Sequence, residues 1–167
     1  VEGTNQEEGH YEVHASEGGH CDFSPRTELE IHLLEYLKER FHDLYDATSN
    51  RTSRVSTERV VSGSGIYNIY SFLSKRYPKF VDPHLHTEIE SSEQPAGVIA
   101  RNSLHGRRNQ LCKVTMEIFS SSFGSEAGNM ALKFLPYGGI FLTGGIAPKN
   151  IEWCVHVVWS PCKSVLA

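Results

Sequence analysis

No run of eighteen or more apolar residues occurs in these 167 residues, which excludes a helical membrane span within them. A basic excess is missing too. Sixteen Lys and Arg face twenty Asp and Glu, a formal net charge of −4, which argues against nucleic acid or an anionic membrane surface as the main partner. The four cysteines, Cys21, Cys112, Cys154 and Cys162, never fall in a Cys-x-x-Cys spacing and read as free thiols of a reducing cytosol. The opening Val-Glu-Gly-Thr-Asn-Gln-Glu-Glu has neither a basic cap nor an apolar stretch, so it does not read as a signal peptide. Without such a signal the triplet Asn50-Arg51-Thr52 carries no glycosylation argument. Repeats and low-complexity segments are absent.

What is present is a globular composition, 39% hydrophobic, with helical and strand-like stretches alternating along it. Tyr11 to Ser16 alternates apolar and polar residues and predicts a short strand. Glu17-Gly18-Gly19-His20 then predicts a tight turn. Ser24-Pro25 reads as a cap followed by Pro at the first helical position, ahead of the stripe Leu29, Leu33, Leu37 and Phe41. Asp46 to Arg54 is loop-like. Ser56 would cap a short helix over Thr57 to Val61, and Gly63-Ser64-Gly65 would break it. Ile66, Ile69, Tyr70, Leu73 and Tyr77 have helical spacing.

Pro78 to Pro95 is rich in prolines and polar residues and reads as an excursion. Arg107 to Phe134 is a long helical region with Leu111, Val114, Ile118 and Met130 on its inner face. Its Gly124 and Gly128 each cost about 1 kcal/mol in a helix, and mark either a break between two helices or close approach of a neighbouring backbone. Pro136-Tyr137-Gly138-Gly139 is a turn and Ile140 to Thr143 a buried-type strand. Gly144-Gly145 closes that strand, and Pro148 would open another helix. Cys154 to Ala167 has no clear period. The order of elements implies an α/β domain whose earlier strands are missing.

Three constellations are candidates for chemistry. In Glu17-Gly18-Gly19-His20 a carboxylate and an imidazole flank a turn. A carboxylate accepts from neighbouring sugar hydroxyls and a histidine donates or accepts, though a plain structural turn has the same appearance. Glu58 is either a ligand-facing carboxylate or a first-turn glutamate favoured by the helix dipole. Gly144-Gly145, after Phe141-Leu142-Thr143, either lets a flat ligand lie against bare backbone or is an ordinary strand-to-helix turn. Nine histidines prompt a metal question. His10, His14, His20 and Cys21 near the start and His84 and His86 further on do not match a tetrahedral zinc spacing.

Taken together and in order, Glu-Gly-Gly-His-Cys-Asp-Phe-Ser-Pro, then Ser-Thr-Glu-Arg-Val-Val-Ser-Gly-Ser-Gly-Ile-Tyr-Asn-Ile-Tyr, then Gly-Asn-Met-Ala-Leu-Lys-Phe-Leu-Pro-Tyr-Gly-Gly-Ile-Phe-Leu-Thr-Gly-Gly-Ile-Ala-Pro-Lys resemble the bacterial-type glucokinase family over Tyr11 to about Asn150. The resemblance implies a partial actin-like ATPase (ribonuclease H-like) α/β domain, mostly the larger glucokinase domain and helix-rich here. It implies glucose contacts by Glu17, His20 and Glu58, and an adenosine-side turn at Gly144 and Gly145. ATP with Mg2+ would be the co-substrate, and glucose and ATP the partners, in a cytoplasmic enzyme for which a homodimer is one assembly. An organellar location in a unicellular eukaryote stays open.

The family's N-terminal phosphate loop, its second glycine-rich phosphate turn and the aspartate that serves as catalytic base are not recognisable. The zinc-binding cysteine cluster of the related repressor-and-sugar-kinase branch is not recognisable either, which favours the glucokinase branch. The expected organisation is therefore a fragment of the large domain over 1–150 and a divergent tail over 151–167. The fragment would carry no catalytic residue of its own and would leave the stripe of the first helix and the strand Ile140 to Thr143 uncovered. The rival expectation is an inactive sugar-binding or interaction module of the same descent.

Overall fold

A computed structural model describes residues 15–41, 54–104 and 109–153. Among these residues it is helical: α1 (Glu28–Arg40), α2 (Glu58–Val61), α3 (Gly63–Arg76), α4 (Pro83–Ser91), α5 (Pro95–Ser103), α6 (Gln110–Phe134) and α7 (Ile146–Lys149). Short 3-10 turns lie at Gly18–His20 and Pro78–Phe80. The single extended pairing among the described residues is an antiparallel bridge between Asp22 and Ser56.

The helices start where side chains cap them. Thr27, not Ser24, caps α1: its hydroxyl accepts from Glu30 N at 3.2 Å, so Pro25 lies outside the helix. α2 begins one residue later than expected, with Thr57 at the cap position and Ser56 occupied by the bridge. Gly63-Ser64-Gly65 does not merely end α2. It forms the first turn of α3, capped by Ser62 Oγ, which accepts from Gly65 N at 3.0 Å.

Pro78 to Pro95 is a correction. It is not an excursion, because each of its prolines opens an element: Pro78 the 3-10 turn, Pro83 helix α4 behind the cap Asp82, and Pro95 helix α5. A proline at the first helical position loses no hydrogen bond, so the residues that suggested a linker are start signals. Helix α6 is likewise continuous through Gly124 and Gly128. Its N-terminal half buries Leu111, Cys112, Met116 and Phe119, and that packing outweighs the roughly 1 kcal/mol that each glycine costs.

The core is gathered around α3. Ile66, Ile69, Tyr70 and Leu73 are buried against Ile99 of α5, Met116 and Phe119 of α6, and Leu33 and Leu37 of α1. The expectation that the α1 stripe lacks a partner is therefore overturned. Leu33 and Leu37 are fully buried, Leu29 and Phe41 pack against the same core, and Tyr36 meets Phe72 at 5.7 Å between ring centroids. Helix α3, rather than a sheet, covers it.

Ile140 to Thr143 differs in the opposite sense. It forms no strand, and Ile140, Phe141 and Leu142 are exposed, because among the described residues nothing pairs with its backbone. The turn at Pro136 to Gly139 is present, with Gly139 N donating to Pro136 O at 2.8 Å. The predicted strand at Tyr11 to Ser16 falls outside the described residues up to His14, and Ala15 and Ser16 are not in a strand. The loop at Asp46 to Arg54 lies outside the described residues except for Arg54, and the tail lies outside them from Cys154 on.

Candidate sugar and nucleotide sites

Two segments distant in sequence are stitched together by backbone. Phe23 N donates to Val55 O at 2.9 Å and Thr57 N donates to Cys21 O at 2.7 Å, on either side of the Asp22–Ser56 bridge. Phe23, Val55 and Thr57 are buried beneath it. The consequence is that the Gly18–His20 turn lands beside the first residue of α2. The turn closes on itself, with His20 N donating to Glu17 O at 2.9 Å and Cys21 N to Gly18 O at 3.1 Å. A Cβ at Gly19 would lie 3.9 Å from Glu58 Cβ, so this turn rests directly against α2.

Glu17, His20 and Glu58 converge as a result. His20 Nε2 is 3.6 Å from Glu17 Oε2, and His20 Nδ1 is 3.7 Å from Glu58 Oε2. Both gaps are longer than a hydrogen bond, so the carboxylates keep lone pairs for an incoming donor. All three side chains are exposed, at 88%, 61% and 57% for Glu17, His20 and Glu58. Two carboxylate acceptors around one imidazole, open to solvent, suit a ligand with several adjacent hydroxyls.

Arg54 is the residue that sequence reading missed, being placed at the end of a polar loop. Its guanidinium bonds Asp22 Oδ1 at 2.5 Å through Nε and the His20 carbonyl oxygen through the other arm. It holds the histidine turn to the segment that leads into α2. No spacing rule links position 54 to position 20, so only the fold reveals the contact.

Gly144 and Gly145 lie elsewhere. Gly144 has φ +92°, a conformation that a side chain would strain, and Gly145 precedes α7. Gly145 borders a cleft of about 850 Å3 whose walls include Gly63, Ser64, Tyr67, Gly97 and Trp153. Trp153 is fixed by its indole N–H, which donates to Ser103 Oγ at 3.0 Å. The cleft is large enough for a nucleoside and mixes bare backbone with an aromatic wall. Helix α7 opens at Ile146, two residues before the expected Pro148. Among the described residues no three His, Cys, Asp or Glu side chains gather as a metal site would require.

The sequence profile of the family described as Glucokinase matches residues 2–157. The chain belongs to the glucokinase family. It is 43% identical over 149 residues to a glucokinase of Trichormus variabilis, an alignment covering 83% of this chain and 41% of that protein. With a glucokinase of Synechocystis it shares 42% identity over 156 residues, 87% of this chain and 41% of the relative. The solved structure of a glucokinase from an Antarctic psychrotroph matches with a TM-score of 0.64 at 26% identity, covering 88% of this chain and 39% of that one. The chain thus spans about two fifths of the length of these relatives.

Proposed function

We propose that the chain carries the glucose contacts and part of the nucleotide wall of an ATP-dependent glucokinase that makes glucose 6-phosphate, within the actin-like ATPase fold. The observation that carries this reading is the convergence of Glu17 and His20 with Glu58 on one open surface. Glu17 and Glu58 accept hydrogen bonds from glucose hydroxyls and His20 donates or accepts a further one. Polar recognition of this kind discriminates once the sugar covers these groups, because a missing hydroxyl then leaves them unpaired. The adenosine of ATP lies along the Gly144-Gly145 turn, in the cleft that Gly145 borders.

Mg2+ would arrive with the phosphates of ATP, as part of the co-substrate complex. MgATP supplies the γ-phosphoryl group, while these residues orient the sugar so that its 6-hydroxyl faces it. The general base and the phosphate-binding loops belong to parts of the full-length enzyme outside residues 1–150, which on this reading are a piece of its large domain. The chain by itself is accordingly inactive, since general-base help alone is worth roughly 10²–10⁴ in rate.

Calorimetric titration of the chain with glucose and with sorbitol tests the sugar site. Saturable glucose binding, at least tenfold weakened in Glu58→Gln, is the expected result; equal heats for the two polyols would refute it. A coupled assay tests the second half, and turnover by the chain alone at the rate of an ordinary sugar kinase would show that the base lies within it.

A further inference from the structure

His20 borders a second cavity, of about 450 Å3, with the guanidinium groups of Arg40, Arg54 and Arg59 around it and Phe41 in its wall. Each guanidinium is held. That of Arg59 lies over the Phe41 ring, 4.2 Å from its centroid. Arg40 reaches the Phe41 and Tyr67 rings at 5.8 and 5.5 Å and donates from Nη1 to Tyr36 Oη at 2.9 Å. Arg54 is fixed by Asp22 and the His20 carbonyl. Arg54 is thus neutralised, whereas among the described residues neither Arg40 nor Arg59 forms an ion pair with a carboxylate.

Aromatic rings orient guanidinium groups without discharging them. Arg40 and Arg59, held around one cavity beside the paired Arg54, repel each other, in a chain whose net charge is −4. The arrangement is unfavourable until an anion enters, and planar guanidinium forks match phosphate oxygens two at a time. We propose that this cavity is an anion site that takes a small phosphomonoester from solution. The overall negative charge disfavours a membrane surface or a nucleic acid as the source of the phosphate. The site is separate from the proposed nucleotide cleft, and of the proposed sugar contacts it shares His20 alone.

Inorganic phosphate is the probe, titrated into the full chain at constant ionic strength and followed by phosphorus NMR line width, with phosphatidic acid vesicles as a second arm. Saturable phosphate binding is expected. It should weaken at least tenfold in Arg40→Gln/Arg59→Gln and stay unchanged in Arg76→Gln, whose guanidinium lies over Tyr77 instead. Circular dichroism verifies folding, and the single substitutions, each expected to weaken binding, replace the double one if it unfolds. Binding that chloride mimics, that survives loss of both arginines, or that appears only with the vesicles overturns the proposal.

Discussion

A Cβ placed on Gly65 would collide with the carbonyl of Val60 and lie 2.8 Å from the Val60 Cα. The last turn of α2 therefore crosses the first turn of α3 with backbone against backbone. Ser62, between them, binds Glu58 O and Gly65 N, which fixes the corner from both sides. Since Glu58 stands at the start of α2, this corner also sets the direction from which it meets His20.

Gly65→Ala should destabilise the chain more than a surface change would. The obstacle is backbone, which cannot rotate away, so the cost should reach the upper end of the roughly 1–3 kcal/mol typical of overpacking. The neighbouring Gly63 has nothing within 4 Å of an added Cβ, and Gly63→Ala should be near neutral. Urea unfolding of the two variants decides it; equal midpoints would mean that the α2–α3 corner is looser than described.

Element existence was legible where the apolar periodicity is clear, even though the caps lie elsewhere than expected. The stripes of α1 and α3 each predicted a helix that is there, and the turn at Glu17 to His20 was visible in its paired glycines. Pro83 and Pro95 have the composition of a linker yet occupy first-turn positions, and Gly124 and Gly128 weaken a helix that tertiary contacts sustain. Ile140 to Thr143 has strand composition but no partner among the described residues, and composition alone cannot supply one. The convergence of His20 with Glu58 followed from resemblance, not from spacing, because the Asp22–Ser56 bridge that causes it leaves no periodic trace.

Glu30 has a side chain only 3% exposed, and Arg26 answers it twice, from its backbone N at 2.6 Å and from its guanidinium at 2.8 Å. The same guanidinium reaches Ser121 on α6 at 2.9 Å, so it ties the segment before α1 to the long helix. Arg26→Ala strands a buried carboxylate and should cost about 3 kcal/mol, the lower end for breaking such a pair, since Arg26 itself is partly solvated. Arg26→Met/Glu30→Leu removes both charges and should recover most of that loss. If the double substitution is as unstable as the single one, packing by the arginine stem rather than charge is what matters here.

Burial pushes the Cys112 thiol up from 9.0 to about 12, and burial likewise raises the Tyr70 hydroxyl from 10.0 to about 12. Both raised groups stay protonated in the folded chain where the unfolded chain has already ionised. The unfolded state then binds fewer protons, so stability is full below about pH 9 and falls as pH rises towards 12. Urea midpoints measured from pH 8 to 11 should decline, and Cys112→Ser should make the decline shallower. The thiol should also resist alkylation until denaturant is added. Rapid labelling of Cys112 at neutral pH, or a flat stability profile, would contradict its burial.

The apolar surface is unevenly distributed, and that separates folding from self-association. Leu33 and Leu37 are fully buried, so Leu33→Ala should cost about 2–5 kcal/mol through lost transfer energy and a residual cavity. Leu132, Phe134, Leu135, Tyr137, Ile140 and Phe141 are all exposed, Phe141 at 85% and Tyr137 at 99%. A surface this apolar favours association over solubility. Tyr137→Ser/Phe141→Ser should therefore leave the urea midpoint within about 0.5 kcal/mol of the parent, as surface changes do. Light scattering of the same variant should show fewer large species. Should the double serine variant unfold at markedly lower urea, the 137–141 segment packs against the helical core and its exposure is misassigned.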